Sequence, residues 1–411
     1  MRVWAAAIVA LPAALALFGA SASVQAGPPD AECLVCHADP DLKGAQDRPV
    51  FVDGAKFAVS VHGSAGISCV DCHTDLAGFS DFPHAQDLRP VACASCHDAA
   101  AAAVAKSAHG LPHAGPMPFA VQCKDCHGTH EILSHEDMAS RTFALNIPDT
   151  CTSCHLERVK AERGPAFVGQ YLKSVHFRAL SESGLSVAAT CVSCHGGHDV
   201  RPVDAAGSKV SRAKIIETCG ECHVGTERDY LEGVHGKAYV KGVGDVPVCT
   251  DCHTEHDIRS PEDLKSGVYA THVAAVCARC HDDERLARQY GLLTSRLKTY
   301  ASSYHGMASK AGETSVANCA SCHGHHNIRP SNDPKSSINA ANISATCGGC
   351  HPGAGANVAK GRLHVVSERT ENRLGYTVKV VYLVVIGGLL SAFLAFIAAD
   401  LYRRLRSRWT K

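Results

Sequence analysis

The chain contains 22 cysteines, and all of them fall in eleven copies of one pentapeptide, Cys-x-x-Cys-His. The first four copies hold Cys33, Cys36 and His37, then Cys69, Cys72 and His73, then Cys93, Cys96 and His97, then Cys123, Cys126 and His127. The next four hold Cys151, Cys154 and His155, then Cys191, Cys194 and His195, then Cys219, Cys222 and His223, then Cys249, Cys252 and His253. The last three hold Cys277, Cys280 and His281, then Cys319, Cys322 and His323, then Cys347, Cys350 and His351. This spacing is the attachment signature of a c-type haem. Two intervening residues place both sulfurs on one porphyrin edge for thioether bonding to the vinyl groups, and the histidine that follows turns onto the iron as an axial ligand. One copy would resemble a zinc site or a redox dithiol. Eleven copies that consume every cysteine predict eleven covalently bound c-type haems.

A second set of histidines keeps register with the motifs. Each of five modules opens with Ser-Val-His-Gly or a close variant, at His62, His109, His176, His235 and His305, and a sixth copy, His364, begins a truncated module. Another histidine lies three residues past the first motif histidine of the last four modules, as His130, His198, His256 and His326; in the first module His84 is expected to take this part. Together these histidines number eleven, one for each iron's second axial position. Beyond the leader only Met117, Met138 and Met307 remain, too few for widespread His/Met ligation. Bis-histidine, low-spin haems of low potential are therefore expected. A histidine three positions past a proximal ligand lies on that ligand's side of the haem, so it should reach the iron of a neighbour. Which distal histidine serves which iron is left open. His113, His135, His272 and His325 read as surface or propionate-contacting side chains, with His325 an alternative to its neighbour His326.

The elements that must position these groups form a repeat. After the first motif the rest come in pairs, whose first cysteines are 24 residues apart from Cys69 to Cys93 and 28 apart in each later pair. A longer period of 126 residues, from Cys123 to Cys249, and of 128, from Cys191 to Cys319, suggests duplication of a four-haem block. The expected divisions are a leader at 1–26, a single-haem segment at 27–60, and two-haem modules at 61–108, 109–170, 171–229 and 230–299. A last module with its linker occupies 300–375, a transmembrane helix 376–400, and a basic tail 401–411.

Composition says how such a body holds together. Aromatics make up 6% of the chain, and the two tryptophans, Trp4 and Trp409, lie at its ends. A body so short of large apolar side chains has little core of its own. The haems are expected to form that core, so the apo-protein should not fold. The predicted class is mainly irregular with short α-helices, an elongated multihaem array plus one C-terminal transmembrane helix. Helical stretches are expected around Ala100–Ser107, Pro165–Leu180 and Asp283–Ser303, and no segment predicts a sheet. The formal charge is zero, with 40 basic and 40 acidic residues, and no basic patch points to nucleic acid.

The ends address the chain to a membrane. Arg2 precedes an apolar stretch from Val3 to Ala20, and Val24 and Ala26 complete a small-x-small cleavage pattern that makes Gly27 the expected new terminus. Val380 to Ala399 is an uncharged, mostly apolar run long enough to cross the hydrocarbon core. Arg403, Arg404, Arg406, Arg408 and Lys411 follow it, so the positive-inside rule places the tail in the cytoplasm and the motif-bearing body in the periplasm, on an inner membrane.

With its paired motifs at Cys191–His195 and Cys219–His223, the lead at His176 and the Cys-His-Gly-Gly-His198 run, the chain resembles the multihaem c-type cytochromes with doubled Cys-x-x-Cys-His modules. The resemblance spans about Cys33 to His364. It implies an electron carrier without catalytic residues, working in bacterial anaerobic respiration. Such a carrier relays electrons between a quinone-linked membrane cytochrome complex and periplasmic or outer-membrane cytochromes. The C-terminal anchor differs from the N-terminal anchor of the small tetrahaem quinol dehydrogenases, which argues against direct quinol oxidation. The competing reading is a nitrite, hydroxylamine or sulfur-oxyanion oxidoreductase with one five-coordinate haem, to which the off-register His84 points. A zinc-ribbon or disulfide scaffold is a third reading, disfavoured by the export signal and the number of motifs.

Overall fold

The computed structural model describes residues 30–110, 120–156, 164–292, 295–353, 355, 357, 364 and 373–409. The leader, His113 and Met117 lie outside them. The described chain is helical and irregular: short helices linked by turns, one long C-terminal helix, and no strand beyond an isolated bridge between Lys43 and Pro49. It divides into two compact units. The first comprises Met1–Ala105 with Val121–Asn146, and the second Lys106–Ala120 with Ile147–Lys411. Motifs one to four thus lie in the first unit and five to eleven in the second, and the expected module at 109–170 contributes to both.

The first motif of each module forms its own short helix because the sequence caps it. In Cys123–His127, Cys191–His195, Cys249–His253 and Cys319–His323, the residue before the second cysteine reaches back to the N-cap backbone N–H. Asp125 accepts from Gln122 N at 2.8 Å, Ser193 from Thr190 N at 3.0 Å, Asp251 from Val248 N at 2.6 Å and Ser321 from Asn318 N at 3.1 Å. The otherwise variable position inside Cys-x-x-Cys-His therefore holds the capping-box side chain. Each helix then exits through a left-handed residue, Gly128 at φ 84°, Gly196 at 83° and Gly324 at 76°, with Thr254 at 67° in the fourth.

The leading histidines begin helices too. Ser60, Ser174 and Ser303 accept from the backbone N–H three residues on, at 3.0, 3.2 and 3.2 Å, fixing where the Ser-Val-His turn starts. At every described junction between consecutive modules, the residue before the leading histidine makes the same bond. Val61, Ala108, Val175 and Val234 donate at 2.8 Å to the carbonyls of Ile132, Val200, Ile258 and Ile328, each two residues past a three-offset histidine. The loop to the second motif is closed by a buried serine, as Ser140, Ser208, Ser266 and Ser336 each bond the carbonyl seven residues back.

Packing among protein atoms alone is thin. Buried apolar side chains among the described residues are few, and the buried polar ones nearly equal them in number. The one described cluster is Ile215, Ile216 and Val248, with Tyr230 and Tyr239 against it. This is the expected shape of a chain whose interior is shared with prosthetic groups.

Two of the expected helices are broken. Pro165–Leu180 is split into Gly164–Tyr171 and Val175–Ser181, because Ser174 caps a new helix. Asp283–Ser303 is split into Glu284–Tyr290 and Arg296–Ala301, because Gly291 adopts φ 66° and ends the first. The third runs Asp98–Ala105. The C-terminal helix extends over Arg373–Trp409, longer than the expected span, and its most apolar 18-residue stretch has mean hydropathy 2.6 with an exposed apolar surface. It is the one described helix long and apolar enough to cross a membrane.

Candidate haem-binding sites

Two imidazoles on opposite axial positions of one iron stand with ring centroids about 6 Å apart, from a metal–nitrogen bond of about 2.0 Å on each side plus the ring itself. Ten pairs of histidines among the described residues have this separation. In the first unit His37 faces His84 at 5.9 Å, His97 faces His62 at 6.0 Å, and His73 faces His130 at 6.4 Å. In the second unit His155 faces His109 at 6.3 Å, His195 faces His256 at 6.0 Å, and His223 faces His176 at 6.2 Å. There also, His253 faces His326 at 6.1 Å, His281 faces His235 at 6.2 Å, His323 faces His364 at 6.3 Å, and His351 faces His305 at 6.0 Å. Every pair joins one motif histidine to one histidine of the second set. His127 ends its motif helix in the first unit, and His198 follows Cys191–His195 in the second.

The pairing follows a rule. A module's leading histidine faces its own second motif: His62 with His97, His109 with His155, His176 with His223, His235 with His281 and His305 with His351. A three-offset histidine faces the first motif of the preceding module: His130 with His73, His256 with His195 and His326 with His253. His84 faces the lone first motif, and His364 takes the three-offset role toward His323 although its sequence context resembles a leading histidine.

Several of these rings are prepared for a metal. His37 Nδ1 donates to Val50 O at 2.7 Å and His84 Nδ1 to Ala85 O at 2.6 Å, so in the neutral ring the lone pair lies on Nε2. Burial depresses the pKa of His73, His130, His155, His176, His195 and His281, and takes His235 to about 4. Desolvation thus favours neutral imidazole, the form that binds iron. His325 packs edge-on against His326 at 4.6 Å, and it is His326 that faces His253. His272 Nδ1 donates to Ser266 O at 2.8 Å. Register-equivalent Asn146 and Asn342 make the same bond to Ser140 O and Ser336 O, so His272 closes a loop.

No disulfide joins any of the 22 cysteines. Among the described residues no cluster of three or more His, Cys, Asp or Glu side chains surrounds a common point as a bare metal ion requires. Instead, cysteines of consecutive motifs adjoin. In the first unit Cys33 interacts with Cys69, Cys72 with Cys96, and Cys93 with Cys123. In the second the series runs Cys151 to Cys191, Cys194 to Cys219, Cys219 to Cys249, Cys252 to Cys280, Cys277 to Cys319, and Cys322 to Cys347. Within each unit, motif order along the chain is therefore neighbour order in space.

A set of positioning tyrosines was not anticipated from the motifs. Tyr171, Tyr230 and Tyr300 stand five residues before a leading histidine, and their hydroxyls donate to Ala189 O, Pro247 O and Ala317 O at 3.0, 2.7 and 3.2 Å. Each acceptor lies two residues before a motif cysteine, so the tyrosine pins the approach to that motif. The recurring five-residue offset, with Phe57 in the first module, was the sequence signal for it.

Parts of the chain match known cytochromes. Residues 64–236 match the family model for outer membrane cytochrome MtrC/MtrF-like domains II/IV, and residues 242–286 match the doubled CXXCH motif. The chain is 29% identical over 149 residues to multiheme cytochrome MtrA of Shewanella baltica, covering 36% of this chain and 37% of that one. It is 27% identical over 210 residues to a high-molecular-weight cytochrome c of Nitratidesulfovibrio vulgaris, covering 47% of this chain and 33% of that one. The matches thus span about a third of each relative's length. No solved structure matches the chain. Motifs that bind haem covalently, arrayed in doubled modules and shared with electron-transfer proteins of this kind, make the chain a multihaem c-type cytochrome.

Proposed function

We propose that this cytochrome carries eleven haems, each attached at one Cys-x-x-Cys-His motif and held by two histidines. It relays electrons between a quinone-linked membrane component and periplasmic or outer-membrane redox partners. The observation that carries this reading is the set of ten imidazole pairs, each matching a motif histidine to one histidine of the second set. Haem iron supplies the one-electron carrier; the protein sets its ligands, its spacing and its exposure to solvent. Because the three-offset histidines belong to one module and face the motif of another, ligation ties consecutive modules together and keeps neighbouring motifs close.

The helix at Arg373–Trp409 is the proposed tether, holding the motif-bearing body on the periplasmic side of the inner membrane with Arg403, Arg404 and Arg406 in the cytoplasm. The His37–His84 pairing favours the relay over an oxidoreductase with an open iron at the off-register histidine. Protein-film voltammetry of the holo-protein tests the choice. A relay gives a broad, reversible, low-potential wave that nitrite, hydroxylamine or sulfite leaves unchanged, whereas a catalytic current with any of them would establish an enzyme.

A further inference from the structure

His364 differs from His37 and His84 in the group that its second ring nitrogen meets. Those two donate to backbone carbonyls near them in sequence. His364 Nδ1 lies 2.9 Å from the hydroxyl of Thr299, which is carried by the helix Arg296–Ala301 far upstream. Thr299 is only 6% exposed. Its single hydroxyl hydrogen is shared between two carbonyls of its own helix, Ser295 O and Arg296 O, both at 3.0 Å. With that hydrogen engaged, the oxygen presents a lone pair to the ring, so Nδ1 carries the proton and donates. The lone pair of His364 then resides on Nε2, the tautomer that binds a metal, and the ring faces His323 at 6.3 Å.

We propose that Thr299 is the positioning residue for His364. It fixes the tautomer and orientation with which the segment leading into the membrane helix completes the iron at the tenth motif. The proposal deepens the relay reading, since it rests on His364 being an axial ligand. It gives that iron a ligand supplied from just before the Arg373–Trp409 helix and held by a hydroxyl on the body of the array.

Three variants of the full-length holo-protein, His364→Ala, Thr299→Val and Thr299→Ser, test it by low-temperature EPR with haem content measured alongside. His364→Ala is expected to convert one iron to high spin. Thr299→Val, isosteric without the hydroxyl, is expected to move one low-spin component, by a changed g-anisotropy or by partial conversion to high spin. Thr299→Ser keeps the acceptor and should reproduce the native spectrum. If Thr299→Val matches native protein while His364→Ala gives its high-spin iron, the positioning role is wrong and the ligation stands. If His364→Ala leaves every iron low-spin, the ligand assignment beneath it is wrong. Should Thr299→Val assemble poorly, a serine variant with the same spectral loss as His364→Ala would overturn the proposal, because the hydroxyl would then not be the determinant.

Discussion

The imidazole of His130 lies 6.4 Å from that of His73, two motifs back along the chain, although His130 stands only three residues beyond His127. His256 with His195 and His326 with His253 repeat the relationship. A three-residue offset carries the side chain out of the motif helix through a left-handed turn at Gly128 or its equivalents. The bond from the leading Ser-Val-His turn to the residue two beyond, as in Val61 N to Ile132 O, then seats that histidine against the preceding module.

Replacement of a three-offset histidine should therefore open an iron in the preceding module. His130→Ala, His256→Ala and His326→Ala are each expected to yield one high-spin iron, and a double variant two, by EPR spin quantitation. A variant that leaves all irons low-spin would show that another group, such as His325 for His326, supplies the ligand.

The tyrosine pins should contribute stability without touching coordination. Tyr230→Phe removes one half-buried hydrogen bond, to Pro247 O, and should cost about 1 kcal/mol. Thermal denaturation followed in the Soret band should show a lowered Tm, with haem content and spin state unchanged. Tyr171→Phe and Tyr300→Phe should behave alike, and the first module already carries Phe57 at this position.

His272 should prove structural. His272→Asn places there the residue found at register-equivalent Asn146 and Asn342, and it should retain native stability. His272→Leu leaves the Ser266 carbonyl without its donor and should cost about 1–3 kcal/mol in chemical denaturation. Neither variant should alter the EPR spectrum; a new high-spin iron would make His272 a ligand.

The candidate ligands were legible because a repeat turns histidine position into a register: eleven motif histidines and, His84 and His62 apart, others at recurring offsets from them. The partnership of each was not, because it depends on which modules pack together, and that contact is made by bonds such as Val175 N to Ile258 O between segments far apart in sequence. Helix limits failed for a local reason. Ser174 and Gly291 read as ordinary residues within apolar stretches, yet one caps a new helix and the other ends an old one. His364 was read as a leading histidine from its sequence context, and it faces His323 in the other role.

The C-terminal helix is separable from the haem-bearing body on this account. At 1.5 Å per residue its 37 residues extend about 55 Å, well beyond a hydrocarbon core of about 30 Å. A chain ended before Arg373 should fractionate as soluble protein with a native visible spectrum, because His364 and every motif precede the cut. Retention in the membrane fraction would assign the tether elsewhere.

Low-temperature EPR of the fully oxidised native protein, with total haem from a pyridine haemochrome assay, tests the central claim most directly. Bis-histidine ligation throughout predicts eleven haems per chain, all low-spin. A native high-spin signal amounting to one iron per chain would contradict it, placing an open coordination site, and with it the possibility of substrate chemistry, within the array.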